Sequence, residues 1–303
     1  MTRSKKILLE IGTNELEIIE FKVFNNHFGI NVAKVREVIK TKNYIPVPKS
    51  HPCIKGVMTL REHVITVIDL VKYLETEKVE DNGSKFFIIT HFNKIRTAFE
   101  VHSVVGIQRL SWEEIEVPDS TMNKGSEGIV SGIVKKKDRL ITILDFEKIL
   151  SDINPRTGIQ VSDIENMGSR LANDKPVLIA EDSELLSKML KSCLNKAGYN
   201  NLKIVSNGKD AWEFLKSIKE SKSKDIKEKI ACVITDIEMP QMDGYHLTKL
   251  IKEDVVLNTL PVIMFSSLIN DETMERGKKV GADAQVGKPE ITKLVGLVDR
   301  LTN

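Results

Sequence analysis

VLIAEDSELLSKMLKSCLNKAG, residues 177–198, sets out a strand and a helix in one line. Four apolar residues in a row, Val177 to Ala180, read as a short strand buried on both faces. Leu186, Met189, Leu190, Cys193, Leu194 and Ala197 then recur at helical spacing, and Gly198 stands where a left-handed stop is expected. The same alternation continues to the C-terminus. Strand-like runs fall at 203–206, 231–236, 261–266 and 284–286, and helical runs at 210–218, 244–252, 271–280 and 291–301. Five such units predict an α/β domain over 176–303, a doubly wound, five-stranded parallel sheet of the flavodoxin-like type. The Lys-rich insertion KESKSKDIKEK, 219–229, mixes both signs of charge and reads as a solvated extension of the second helix.

Upstream the grammar changes. Residues 151–175 carry Asn154-Pro155, Gly158 and Gly168 without sustained periodicity and are expected to form a linker. Residues 17–150 are built of short alternating or β-branched runs, among them Ile19, Phe21 and Val23, then VITVIDL from Val64 and RLITILDF from Arg139. Asn25-Asn26, Asp81-Asn82-Gly83 and Lys137-Asp138 supply turn signals between them. An all-β domain of barrels or a sandwich follows. One stretch departs from the pattern: Val35, Val38 and Ile39 share a side of a short helix if Val32–Ile39 is helical.

Composition excludes several functions. Lys and Arg total 45 against 43 for Asp and Glu over 303 residues, so a formal charge of +2 offers no field for nucleic acid or an anionic membrane. Cys53, Cys193 and Cys232 are far apart in apolar surroundings and read as reduced core thiols; His51 beside Cys53 has no second ligand pair at zinc spacing. The opening MTRSKKILLEIG lacks the apolar run and cleavage site of a leader, and no uncharged stretch approaches the roughly 20 residues of a membrane-crossing helix. A cytoplasmic protein that works beside a membrane through partners is expected.

In open α/β sheets ligands bind beyond the C-terminal ends of the strands. Here those ends carry Glu181-Asp182, Asp236, Ser266-Ser267 and Lys288-Pro289. Three converging carboxylates repel one another unless a hard divalent cation lies between them, which suits Mg²⁺. Asp236 can then attack a phosphoryl group, Lys288 supplies the opposing positive charge, and Ser266 offers a hydroxyl whose movement reports modification to the next helix. A cis Lys288-Pro289 bond is a possible means of aiming the lysine inward. Taken alone, Asp182 before Ser183-Glu184 reads equally well as a helix cap.

As an ordered set, ED, DIEMPQMDG, SS and KP resemble the receiver domain of two-component response regulators across 176–303. The resemblance implies a phospho-accepting Asp236, metal ligation by Glu181, Asp182, Asp236 and the Glu238 carbonyl, a switch hydroxyl at Ser266 and a phosphate-contacting Lys288. Glu181 stands where Asp is commoner, and Gln285 replaces the usual aromatic three residues before the lysine. FGINVAKVREVI, IPVPKSHPCIKGVMTLREHVITVIDL and DRLITILDFEKIL resemble successive segments of CheW-like domains, which are two small β-barrels joining chemoreceptors to the histidine kinase CheA. Gly56 in IKGV reads as a turn or close-packing glycine rather than a phosphate loop. By the same resemblance Arg61 is a partner-contact candidate, with Glu37 and Val35 behind it.

A CheW-like domain followed by a receiver is the arrangement of the CheV-type chemotaxis coupling proteins. That resemblance implies a non-enzymatic adaptor whose grip on CheA, methyl-accepting chemoreceptors and, as a further candidate, CheW is modulated at Asp236. Both signs stay open, adaptation or a phosphate sink. The competing readings are a constitutive scaffold with an unphosphorylated receiver and an aspartate-based phosphatase. For the latter, Glu238 is an imperfect acid/base two residues after the nucleophile. Nothing resembling a basic recognition helix supports a DNA-binding output.

Overall fold

Leu16 and Ile18 alternate with Glu15 and Glu17 at the start of strand β1 (Glu15–Val23), one side of which is apolar. It turns through Phe24, at φ 52°, into β2 (Asn26–Asn31). This is a computed structural model, and it describes residues 15–75, 85–93, 95–116, 128–159, 162–165, 170–220 and 226–302. Two units divide at Gly158 and Ile159.

In the first unit a 3-10 turn at Val32–Lys34 leads to β3 (Val35–Lys40). Then come β4 (Ile54–Leu60), β5 (His63–Asp69), α1 (Leu70–Tyr73), β6 (Phe86–Phe92), β7 (Ile95–Val101), β8 (Ser103–Ser111), β9 (Ile115–Glu116), β10 (Val130–Lys135), β11 (Leu140–Leu144) and α2 (Phe146–Ile153). The short helix expected over Val32–Ile39 is therefore mostly strand. Antiparallel β6 satisfies the backbone of β3, and β-branched Val35, Val38 and Ile39 suit that ladder better than a helix.

Two sheets result, in the orders β8-β1-β2-β11-β10-β9 and β3-β6-β7-β5-β4. Each curls on itself. In the first, the end strands β8 and β9 are joined by the capped 3-10 turn Trp112–Glu114. In the second, Ile45 bridges Val57 of β4, and Arg61 meets Glu37 of β3 at 3.2 Å, so the two edges approach. Separate apolar cores fill the interiors, Ile18, Leu110, Val134 and Ile141 in one and Met58, Ile65, Val67, Phe87 and Ile89 in the other. Gly56 is a close-packing glycine, since a Cβ there would lie 2.2 Å from the Ile45 carbonyl oxygen. The two sheets meet at Phe146, whose ring lies edge-on to Phe99 at 4.6 Å and to Phe21 at 6.1 Å. VITVIDL and LITILDF do matching work: the next-to-last residue of each, Asp69 or Asp145, is an aspartate whose side chain accepts from backbone N–H in the first turn of the helix that follows.

The second unit contains α3 (Ser162–Glu165), β12 (Val177–Ala180), α4 (Glu184–Lys196), β13 (Leu202–Val205), α5 (Gly208–Glu220), β14 (Cys232–Thr235), α6 (Gly244–Glu253), β15 (Val262–Ser266), α7 (Asp271–Lys279), β16 (Ala284–Gly287) and α8 (Ile291–Thr302). Its five strands are all parallel, in the order β13-β12-β14-β15-β16. One apolar layer packs α4 and α8 on the sheet and another packs α5 and α6 on the opposite face. Burial on both sides explains the uninterrupted apolar runs. Ile159 and Ile164, from the stretch expected as a linker, are buried in the α4–α8 layer. The Lys-rich insertion leaves α5 at Glu220 and contains a 3-10 turn at Ile226–Glu228; its residues 221–225 lie outside the described residues, as do Asp81-Asn82-Gly83, Gly168 and the opening residues 1–14.

The Lys288-Pro289 bond is trans, because no cis peptide occurs among the described residues. The lysine is aimed inward by the turn itself, in which Glu290 N–H donates to the Gly287 carbonyl. All three cysteines are free and buried, and burial pushes the thiols of Cys193 and Cys232 up to about 11 and about 12. No described helix is long and apolar enough to cross a membrane.

Candidate functional site

Strand order reverses at β12, with β13 on one side and β14 on the other, which opens a crevice at their C-terminal ends. Ladder geometry continues just past the strands. Glu181 N–H donates to the Val205 carbonyl and Asp236 N–H to the Ala180 carbonyl, so both carboxylates emerge at one edge. Lys288 N–H donates to the Ser266 carbonyl and brings the lysine to the same edge.

Glu181, Asp236, Ser266 and Lys288 are buried, while Asp182 is exposed at the rim. Lys288 Nζ lies 2.7 Å from Asp236 Oδ2 and 3.3 Å from Glu181 Oε2. Asp236 Oδ1 accepts the Ile237 N–H at 2.6 Å, and Glu181 Oε1 accepts that of Ser183 at 3.2 Å. One oxygen each from Glu181, Asp182 and Asp236 lies within 4.8 Å of the others. An octahedral Mg²⁺ with ligands at about 2.0–2.1 Å places neighbouring oxygens about 2.9 Å apart and opposite ones about 4.2 Å apart. The donor set fits such an ion with small side-chain movements. One ammonium against three carboxylates also leaves the crevice net negative, which favours a cation.

Ser266 Oγ accepts the Leu268 N–H at 3.3 Å, which ties the hydroxyl to the loop entering α7. Gly244, which ends DIEMPQMDG and starts the predicted 244–252 helix, has a packing role that the sequence reading did not assign. A Cβ there would lie 2.0 Å from the Asp236 carbonyl oxygen, so α6 starts against the acidic residue because position 244 has no side chain. The signal was the Asp243-Gly244 pair; Asp243 caps α6 by accepting the His246 N–H, and burial raises its carboxyl pKa.

Gln285 is buried between β16 and α7. Its Nε2 donates to the Met274 carbonyl at 2.8 Å, Gly277 makes room for its amide, and no described donor reaches Oε1. Tyr245 lies alongside, donating to the Thr273 carbonyl beneath the Arg276 guanidinium, 4.4 Å from the ring centre.

In the first unit Arg61 sits at φ 57° on the β4–β5 turn, paired with Glu37, while Val35 is half-buried on the same strand as Glu37. On the outer face of this sheet Ile45, 73% exposed, bridges Val57, and Val64, 71% exposed, pairs with Thr59 two residues further along β4. A second polar cluster was not foreseen. Glu20, wholly buried, receives two bonds from Arg139 and one each from Gln108 and His27.

Two family models match successive parts of the chain. Residues 17–154 match the CheW-like domain model and 177–299 the response regulator receiver domain model. Chemotaxis protein CheV3 of Helicobacter pylori is 30% identical over 98% of this chain and 98% of its own length. CheV1 of the same organism is 26% identical over 91% of this chain and 89% of its own. Among solved structures, the scaffolding protein TtCheW of Thermoanaerobacter tengcongensis is 25% identical, covering 43% of this chain and 88% of its own, with a TM-score of 0.40.

Proposed function

Because the chain belongs to the CheV chemotaxis proteins, coupling adaptors that join a CheW-like domain to a receiver, we propose that its coupling is modulated by phosphorylation of Asp236. CheW-like proteins couple chemoreceptors to CheA, and the partners of this chain are by extension CheA and chemoreceptors. The observation that carries the reading is the buried Lys288 held between Asp236 and Glu181.

An Asp236 carboxylate oxygen attacks phosphorus, and the bond from phosphorus to the donor's leaving atom breaks, leaving an acyl phosphate on the aspartate. Lys288 follows the charge from the carboxylate to the phosphoryl oxygens. Ser266 donates its hydroxyl to one of those oxygens and so releases the Leu268 amide, which alters the loop into α7. Receiver domains generally bind Mg²⁺ through acidic residues. Here Glu181, Asp182, Asp236 and the Glu238 carbonyl would hold the ion, which screens carboxylate and phosphate from each other.

For the coupling half, Arg61 and Glu37 form the charged rim of an outer face that exposes Ile45 and Val64, with Val35 on the adjoining strand. An exposed apolar patch with a polar rim suits a protein partner. Recruitment to receptor arrays follows from that contact.

Transfer of labelled phosphate from phosphorylated CheA tests the reading. Wild type is expected to accept label when Mg²⁺ is present and none when the metal is chelated beforehand, and Asp236→Asn to accept none. Failure of the wild type to accept label would leave a constitutive scaffold.

A further inference from the structure

Two helices of the receiver have their first turns at the pocket and their last turns under one common strap. α4 begins beside Glu181, whose carbonyl accepts the Ser187 hydroxyl, and α8 begins three residues after Lys288. Thirteen and twelve residues long, they run about 18–20 Å from the pocket. At their far ends Arg170 donates to the Ala197 carbonyl beyond α4 and, through Nη2, to both oxygens of Asp299 on α8 at 2.5 and 2.6 Å. Asn173 N–H donates to the Gly198 carbonyl, Lys175 Nζ donates to the Thr302 carbonyl, and the buried Tyr199 hydroxyl donates to Asp299. Between these ties Ile159 and Ile164, each 2% exposed, pack into the core that α4 and α8 share.

At the pocket end the same two helices are tied by Lys288 to Glu181. We propose that the strap, described at Ile159, Ile164, Arg170, Asn173 and Lys175, is a latch coupled to the pocket. A phosphoryl group on Asp236 takes Lys288 from Glu181 and removes the near tie, the helices shift at their first turns, and the grip at their last turns loosens. The change is delivered to the segment by which the chain enters the receiver. This inference rests on the phosphorylation reading above. Coupling between two sites is reciprocal, so a chain with a weakened strap must bind a phosphoryl mimic more tightly by the factor by which the mimic loosens the strap, about fivefold or more for a typical coupling.

Amide hydrogen exchange on the full chain, with Mg²⁺ and increasing beryllofluoride, tests it. In the wild type, amides of 236–244 and 266–270 are expected to gain protection while those of 159–175 lose it. Arg170→Ala and Asp299→Asn are expected to exchange rapidly at 159–175 before any beryllofluoride is added, to keep wild-type protection in β12, β14 and β15, and to half-saturate at about one fifth of the wild-type concentration or less. Arg170→Lys, which retains one charge, falls between. If the wild-type pocket becomes protected while 159–175 does not change and Arg170→Ala half-saturates within twofold of wild type, the strap is structural and the latch is refuted. If the wild-type pocket gains no protection at any concentration, the phosphorylation reading fails and the latch fails with it.

Discussion

Gly244 occupies a place where a methyl group has no room: backbone, not a flexible side chain, stands 2.0 Å from its would-be Cβ. Gly244→Ala must push α6 away from the Asp236 carbonyl, an overpacking cost of about 1–3 kcal/mol. Urea unfolding is expected to show that loss, with slower label uptake at Asp236 in the molecules that remain folded. Gln285 argues in the opposite direction. Its buried, unpaired Oε1 costs about 1–3 kcal/mol, whereas its bond to Met274 contributes about 0.5–1.5 kcal/mol, and a carbonyl inside a helix has a backbone donor of its own. Gln285→Met, of similar length, is therefore expected to raise the unfolding free energy by up to about 2 kcal/mol; a clear fall would show that Oε1 finds a donor in solution. Glu20 gives a pH dependence. Burial pushes its carboxyl up, but the bonds and charges of Arg139 and His27 outweigh burial and hold it below the ordinary 4.5. As pH falls the unfolded chain takes up the proton first, so the stabilisation is complete above 4.5 and drains away as pH drops through the folded value. Glu20→Gln should unfold at lower urea than wild type at pH 7, and the gap should narrow toward roughly pH 3.

Among the described α-helices, α7 is the least anchored by apolar burial. Its one buried residue is Gly277, and what holds it is the Asn270–Thr273 capping box, the Tyr245 and Gln285 bonds to its carbonyls and Arg276 over Tyr245. Elements with few buried apolar contacts open first. Amides of α7 are expected to exchange faster than those of α4 or α8, and Asn270→Ala, at a cost of about 1 kcal/mol, to widen that difference. The loop from Ser266 enters this helix, so the element expected to open first is next to the proposed switch. How far such elements can be read from sequence depends on where their partners lie. The runs of β12, β14 and β15 were legible because burial on both faces writes continuous apolar stretches. β3 was not, since VAKVREVI fits a helix as well until β6, some fifty residues on, supplies its ladder. Pocket residues stood at strand ends and were legible for that reason. Glu20 and Arg139, far apart in sequence, and the fit of Gln285 against Gly277 are tertiary facts without local signals.

At the scale of the whole molecule each half has apolar cores of its own: the interiors of the two curled sheets and the Phe146 junction between them in the coupling half, and the layers on both faces of the parallel sheet in the receiver. Units with separate cores need not unfold together, and a ligand that binds one folded unit stabilises that unit by mass action. On the reading that Mg²⁺ is held where Glu181, Asp182 and Asp236 crowd together, its effect should be confined to the receiver. At 100 times its dissociation constant the ion is worth about 2.7 kcal/mol, enough to displace a transition by several degrees. Calorimetry of the full chain is expected to resolve two transitions, and adding Mg²⁺ after chelation should raise one and leave the other in place. Asp182→Asn removes a carboxylate exposed at the rim of the pocket, and so assigns the responsive transition: its metal-dependent rise should shrink while the transition of the metal-free chain moves little. If both transitions rise together, the two halves unfold as one cooperative body, and metal occupancy at the receiver would then be felt in the coupling sheets as well.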